Sequence, residues 1–290
     1  MKLKSLIIAI CLLSAFSITS ANAVSATEEG YHSSLEKMGI DYETYKNMPE
    51  DKQNLYDNII IKDIQSSTKY YKYSEPRGVV LKSLINESKM QEISEGQFLF
   101  ETSAYLDANF ISALKEDTNK TETSWVKMTT KLGTVSTNEW VLSNDVTYIK
   151  SNGFLQPKNT HIIGLGGNSN FSVIKDSEYL KREYTLYSSE LGIYEPGQTQ
   201  YYWTADEKAA SGYAYTFDIV ESEISNTAFM ALRIKPNVSN ATVVDGFGHY
   251  SKYSLSVSPS LSFSSGGADL SISPTSKLST APKTHVQLNR

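Results

Sequence analysis

Two carboxylates two residues apart, Glu221 and Glu223, are the first residues whose spacing could do chemistry. Side chains at i and i+2 of an extended strand share a face, so both could meet one bound molecule, one as acid and one as base or nucleophile. The plainer expectation is a solvated acidic turn between strands. The chain has four histidines, His32, His161, His249 and His285. None lies in a His-Glu-x-x-His pattern or at close spacing from another histidine or clustered acids, so no zinc site is written into the spacing. No Gly-x-Ser-x-Gly elbow occurs. The single cysteine, Cys11, lies in an N-terminal apolar run that is expected to be removed. The sequence therefore calls for no metal, no cofactor and no thiol catalysis.

Gly164-Leu165-Gly166-Gly167 follows the apolar His161-Ile162-Ile163 and invites a phosphate-loop reading. The third glycine of a dinucleotide fingerprint is missing, because position 169 is serine, and no βαβ pattern surrounds the tract. It is expected to be a β-turn that needs positive φ. The Glu-x-Glu pair resembles that of secreted mono-ADP-ribosyltransferase toxins, which also carry an upstream arginine and a Ser-Thr-Ser strand. The matching fragments are Arg77 and Ser136-Thr137, followed by Asn138 where the toxins have serine. That resemblance covers a handful of residues. It implies at most a secreted enzyme, a glycan hydrolase or ADP-ribosyltransferase, with Glu221 and Glu223 as its carboxylates.

Aromatic residues offer a different chemistry. Nineteen tyrosines, ten phenylalanines and three tryptophans concentrate in strand-like segments, above all Tyr201-Tyr202-Trp203 and the run Tyr213 to Phe217. On alternating strands Tyr201 and Trp203 share a face, as do Tyr213 and Tyr215. A ring with a polar tip suits sugars or partner surfaces at a sheet edge, so these four are the expected ligand-binding residues. Packing between two sheets is the competing use for them.

The element that speaks most plainly is Tyr253–Ile272. Tyr253, Leu255, Val257, Leu261 and Phe263 alternate with serines, and Ala268, Leu270 and Ile272 resume the alternation beyond Ser265-Gly266-Gly267. That pattern predicts an amphipathic hairpin. It is similar to the inserting hairpins of β-pore-forming proteins, in which one face meets lipid and the other water. Pro259 and the short second arm point instead to an ordinary half-buried sheet.

Around these features the chain divides into 1–23, a signal peptide; 24–66, a helical prefix; 67–96, a linker; and 97–290, an all-β domain. Lys2 and Lys4, the apolar run and Ala21-Asn22-Ala23 give the leader its pattern. Without it the net charge passes from −5 to −7, which argues against nucleic acid as a partner. In the prefix, Gly39 is expected to cap one helix and Asp41 to start the next. Between Gln97 and Arg290, short alternating stretches separated by turn residues predict an antiparallel β-sandwich or barrel-like domain. The layout is similar to secreted β-rich proteins of Gram-positive bacteria, on Met38-Gly39-Ile40-Asp41, Ser124-Trp125-Val126-Lys127-Met128, the segment 212–218 and Gly246-Phe247-Gly248-His249-Tyr250. That resemblance brings no activity and no functional residue with it. The expectation is a secreted, non-enzymatic protein that binds a cell-wall polymer, glycan or surface protein. A membrane-active protein using 253–273 is the alternative.

Overall fold

The computed structural model describes residues 33–76, 88–112, 121–150, 159–188, 193–220, 222–253, 259–264, 268–273 and 278–290. The expected leader and Glu221 lie outside them. In chain order the helices are α1 (Ser34–Met38), α2 (Tyr42–Asn47), α3 (Glu50–Tyr56) and α4 (Glu95–Ser112). The strands up to α4 are β1 (Ile64–Pro76), β2 (Ser88–Lys89) and β3 (Gln91–Ile93). Beyond it come β4 (Thr121–Ser136), β5 (Glu139–Lys150), β6 (Asn159–Gly167), β7 (Phe171–Val173), β8 (Tyr179–Ser188), β9 (Ile193–Tyr202), β10 (Glu207–Ala209) and β11 (Gly212–Ile219). Last are β12 (Glu223–Pro236), β13 (Val243–Tyr253), β14 (Ser260–Phe263), β15 (Leu270–Ser273), β16 (Leu278–Thr280) and β17 (Thr284–Asn289).

Two sheets pack face to face. The first runs β3-β1-β4-β5-β12-β8-β9, with β7 also on β12. The second runs β10-β11-β6-β13-β16-β2, with β17 also on β13. Pairing is antiparallel apart from the short β16–β2 contact. The fold is thus a sandwich with helices near the N-terminus, and neither sheet closes into a barrel. Alternation explains the layers. Val126, Met128 and Leu132 of β4 and Trp140, Leu142, Val146 and Tyr148 of β5 turn inward. They meet Ile163, Leu165, Tyr215, Val244 and Tyr250 of the second sheet in one core.

The helical prefix closes one end of the first sheet's outer face. Gly39 ends α1 at φ 97°, and the Asp41 side chain accepts a hydrogen bond from the Thr44 N–H at 2.6 Å, as expected for the two caps. Leu35, Met38, Ile40 and Tyr56 then pack on Val141, Tyr179, Phe229 and Ala231.

Three expectations need correction. Most of the supposed linker is structured: 67–76 belong to β1, which pairs with β4 along its full length. Its Lys and Tyr alternation hides a strand whose outer face is wet and partly covered. Phe98-Leu99-Phe100, expected to open the β domain, lies in α4. The signal was Ser94-Glu95-Gly96-Gln97, a capping box in which the Gln97 N–H donates to Ser94 Oγ at 3.1 Å. The glycine tract is no turn, for β6 runs straight through Gly167. Gly164 is small because Leu270 needs the space: a Cβ there would lie 3.0 Å from Leu270 Cδ2.

Leu270 belongs to the expected hairpin, which forms as β14 and β15 in register Ser260↔Ser273 to Phe263↔Leu270. Residues 254–258 and 265–267 of the predicted arms lie outside the described residues. The apolar side, Leu261, Leu270 and Ile272, lies on Ile162, Tyr253 and Leu278 of the second sheet. Ser260, Ser262, Ser271 and Ser273 face solvent.

Candidate functional site

Polar side chains gather on the outer face of the first sheet, some exposed, as Lys127, Glu183 and Thr199 are, and some buried, as Ser143 and Lys181 are. On β4 and β5 the side chains opposite the core are Lys127, Thr129 and Lys131, then Ser143, Asp145 and Thr147. The strand order continues this face through Thr227 on β12, Lys181 and Glu183 on β8, and Thr199 and Tyr201 on β9. Register aligns them in two rows across the strands. One reads Thr68, Thr129, Asp145, Phe229, Lys181, Tyr201; the other reads Lys127, Thr147, Thr227, Glu183, Thr199.

Helices wall the rows on both sides. On the prefix side Ser143 Oγ donates to the Met38 carbonyl at 2.9 Å and Lys131 Nζ to the Lys37 carbonyl at 2.8 Å. Phe229 lies beneath Gly39, whose added Cβ would meet the ring at 2.5 Å. On the other side α4 sits over Trp125. Trp125 Nε1 donates to Glu101 Oε2 at 2.7 Å, and Lys72 Nζ lies 2.7 Å from the same oxygen. Ile149 packs in this second cluster. Between the walls β5 presents Asp145 and Thr147, both half-buried, a strip of roughly 7 Å at about 3.3 Å per residue. From β4 to β9 the floor crosses four strand spacings, roughly 19 Å.

The charges on the floor are arranged unequally. Lys181 Nζ lies 2.7 Å from Asp41 Oδ2 and 2.8 Å from Glu183 Oε1. Burial pulls its pKa down, but the bonds to both carboxylates outweigh that and raise it. Asp145 has the opposite situation. Its Oδ1 is buried with no hydrogen-bond partner. Desolvation raises its pKa against the attraction of Lys127 and Lys131.

At the β9 edge the floor ends in an aromatic pair. The rings of Tyr201 and Trp203 stack 5.2 Å apart and 5° from parallel, both half-buried. Trp203 also leans on Tyr179, 6.2 Å away, which anchors the pair to the prefix cluster.

The other two expected ligand-binding residues lie elsewhere. Tyr213 and Tyr215 stand on β11 in the second sheet and pack inside the sandwich. Core packing claimed these two rings, because the face of β11 that carries them is the inner one. Glu223 is also buried: it forms an ion pair with Arg182 and accepts from Asn226 Nδ2 at 3.0 Å. Asn226 Oδ1 in turn accepts from Arg182 Nε at 2.8 Å. The Arg182 guanidinium lies 4.5 Å from the Tyr184 ring and 5.1 Å from that of Phe217. Glu223 is therefore a structural anion, not a solvated turn residue or an open catalytic carboxylate. Ser136 and Thr137 sit at the opposite end of the sheet, beside Glu139 and Trp140, while Glu223 pairs with Leu186. Arg77 lies outside the described residues. Among the described residues no three His, Cys, Asp or Glu side chains gather as a metal site. No described helix is long and apolar enough to cross a membrane.

Sequence reasoning missed Asp145, Lys181 and the threonines. For Thr129, Asp145 and Thr147 the signal was present as polar alternation on β4 and β5. The line they form depends on β12 and β8 lying beside β5, which no local pattern encodes.

No protein-family model matches the chain, and no curated protein matches it in sequence. Solved structures give distant likenesses. One described as "Pore forming protein" is 9% identical with a TM-score of 0.28, over 60% of this chain and 94% of that one. The collagen-binding domain of the Erysipelothrix rhusiopathiae surface protein RspB is 6% identical with a TM-score of 0.26, over 58% of this chain and 65% of that one. The collagen adhesin CNA of S. aureus is 7% identical with a TM-score of 0.25, over 78% of this chain and 81% of that one. Likenesses at this level assign neither a family nor an activity.

Proposed function

We propose that this is an exported binding protein, acting at the cell surface or outside the cell, that holds an extended glycan across the outer face of its first sheet. The observation that carries the reading is the Tyr201–Trp203 stack at the open end of a hydroxyl-lined floor between two helical walls. Rings of this kind cover the apolar face of a sugar, while hydroxyls and charged tips take its polar groups. Across the strands the floor is long enough for several sugar units, roughly 19 Å from β4 to β9. Threonines at Thr68, Thr129, Thr147, Thr199 and Thr227 supply both donors and acceptors at low conformational cost.

The test is co-sedimentation of the purified protein with peptidoglycan sacculi and with insoluble polysaccharides. Pelleting that weakens in the Tyr201→Ala, Trp203→Ala double variant supports the reading. A double variant that pellets like the wild type contradicts it.

A further inference from the structure

The hairpin β14–β15 forms a two-stranded sheet of its own on the outer face of the second sheet. Among the described residues no backbone hydrogen bond joins it to the sandwich. Side chains hold it there. Leu261, Leu270 and Ile272 rest on Ile162, Tyr253 and Leu278, and the sheet beneath is shaped to receive them. A Cβ at Gly164 would lie 3.0 Å from Leu270 Cδ2, and one at Gly212 would lie 2.7 Å from Phe263 Cε1. Lys283, between β16 and β17, ties down the far end: its Nζ donates to the Ala268 carbonyl at 3.3 Å and to Asp269 Oδ1 at 2.7 Å. Leu261, Phe263 and Leu270 stay half-buried in this seat, so docking recovers only part of their apolar area.

His249 lies beneath the hairpin. Its ring meets that of Phe263 edge-on with centroids 6.0 Å apart, and its Nε2 is buried without a hydrogen-bond partner. A neutral imidazole can leave that nitrogen as a bare acceptor. An imidazolium carries a donor on both nitrogens, and a buried charge with an unanswered N–H is far more costly. The charged groups that face the ring are Lys283 and Asp269; they are bonded to each other and pull in opposite senses. From β6 and β11 come only Gly164 and Ala214. His285 on β17 has its Nε2 on Asp245.

We infer that the hairpin is an acid-released cover: protonation of His249 lifts β14–β15 off the second sheet while the sandwich stays folded. Release bares Leu261, Phe263, Leu270 and Ile272 on one side and Ile162, Tyr253 and Leu278 on the other, an apolar surface presented only in acid. The sandwich survives because its core lies on the opposite face of the second sheet, around Ile163, Leu165, Tyr215 and Tyr250, and elements with few contacts open before the whole. The direction follows from the two states of the ring. Docked, burial holds His249 down at about 4; released, it is solvated and takes up its proton near pH 6.5. The ratio of released to docked hairpin therefore rises roughly twentyfold from about pH 7 to about pH 5. Asp269, whose pKa the bond from Lys283 lowers, stays ionised over that range, so the tether does not break by itself.

The experiment is amide hydrogen exchange of the whole protein across that range, corrected for the intrinsic pH dependence of exchange, beside the fluorescence of a dye that binds apolar surface. An undocked two-stranded hairpin is marginal in water, so its amides report release. Protection in β14 and β15 should fall roughly twentyfold from about pH 7 to about pH 5, with β5 and β12 unchanged and dye fluorescence rising in step. His249→Gln should be flat in both readouts. Gly164→Ala, which crowds Leu270, should speed exchange in β14 and β15 already at neutral pH. Hairpin protection that ignores pH overturns the inference, as does protection lost together with that of β5 and β12. An acid response in His249→Gln equal to the wild type overturns it too. Should His249→Gln fail to fold, the wild-type contrast between β15 and β5 and the Gly164→Ala result decide.

Discussion

Tyr201 and Trp203 lie two residues apart at the outer margin of the first sheet, their rings 5.2 Å apart and nearly parallel. Trp203 is only half-buried, whereas Trp125 and Trp140 are inside the fold. Tryptophan emission therefore reports on the floor through one residue. Added polysaccharide should shift or quench that emission, and Trp203→Phe should abolish the change. Tyr201→Ala should weaken binding by about 1–2 kcal/mol, roughly tenfold, with little change in unfolding. An unaltered titration in Trp203→Phe would show that the ligand sits elsewhere.

The Arg182–Glu223 pair gives a stability prediction that separates structure from catalysis. Both side chains are buried and share Asn226. Removing one partner strands the other charge, at a cost of about 3–5 kcal/mol. Glu223→Ala should lower the denaturation midpoint accordingly. Replacing the pair with Arg182→Met, Glu223→Leu should recover most of that loss. A Glu223→Ala protein of unchanged stability would contradict the structural role.

Lys52 ties the prefix to the sandwich. Its Nζ donates to the Asp176 carbonyl at 2.6 Å and the Glu178 carbonyl at 2.7 Å, and beside it Tyr56 OH donates to the Ser177 carbonyl at 2.8 Å. Lys52→Ala should cost about 1.5–3 kcal/mol for each charged hydrogen bond lost. Amide exchange in α1 to α3 should quicken while β5 and β12 stay protected. Glycan binding should weaken too, because Lys37 and Asp41 of the prefix position Lys131 and Lys181 on the floor.

Acid should destabilise the fold through His249. Burial, with Lys283 nearby, lowers its pKa to about 4, and Asp269 opposes the shift. Asp269 and Phe263 belong to the hairpin side, and Lys283 Nζ bonds Asp269 Oδ1 at 2.7 Å. The unfolded chain takes up the proton near pH 6.5 and the folded chain only near 4. Stability from the neutral imidazole is thus complete above pH 6.5 and lost as pH falls towards 4, by about 3 kcal/mol. His249→Gln should flatten the slope of unfolding free energy across that window. An equal slope in the variant would assign the acid sensitivity to other groups.

Local pattern made the strands legible, and it did so where one face was plainly apolar. β4, β5, β8 and β12 each follow alternation that reads without a structure. β1 did not, since Lys69, Tyr70, Lys72 and Tyr73 put polar or amphipathic residues on both faces, and only pairing with β4 and cover from α4 sorts them. The proposed site was half legible. Tyr201 and Trp203 were visible as rings on one strand face, but Tyr213 and Tyr215 looked the same, and only sheet stacking distinguishes a buried face from an open one. Glu223 read as a surface acid because its partner, Arg182, is 41 residues away. Asp145 carried only the polar alternation of β5. Its neighbours Thr129, Phe229 and Lys181 arrive from three other strands.

The most direct test of the proposed glycan-binding floor is hydroxyl-radical footprinting with and without bound polysaccharide. Tyr201 and Trp203 should be protected from oxidation by the polymer, while Phe100, 77% exposed on α4, should be oxidised equally in both samples. Equal oxidation of Tyr201 and Trp203 with polymer bound would contradict the account.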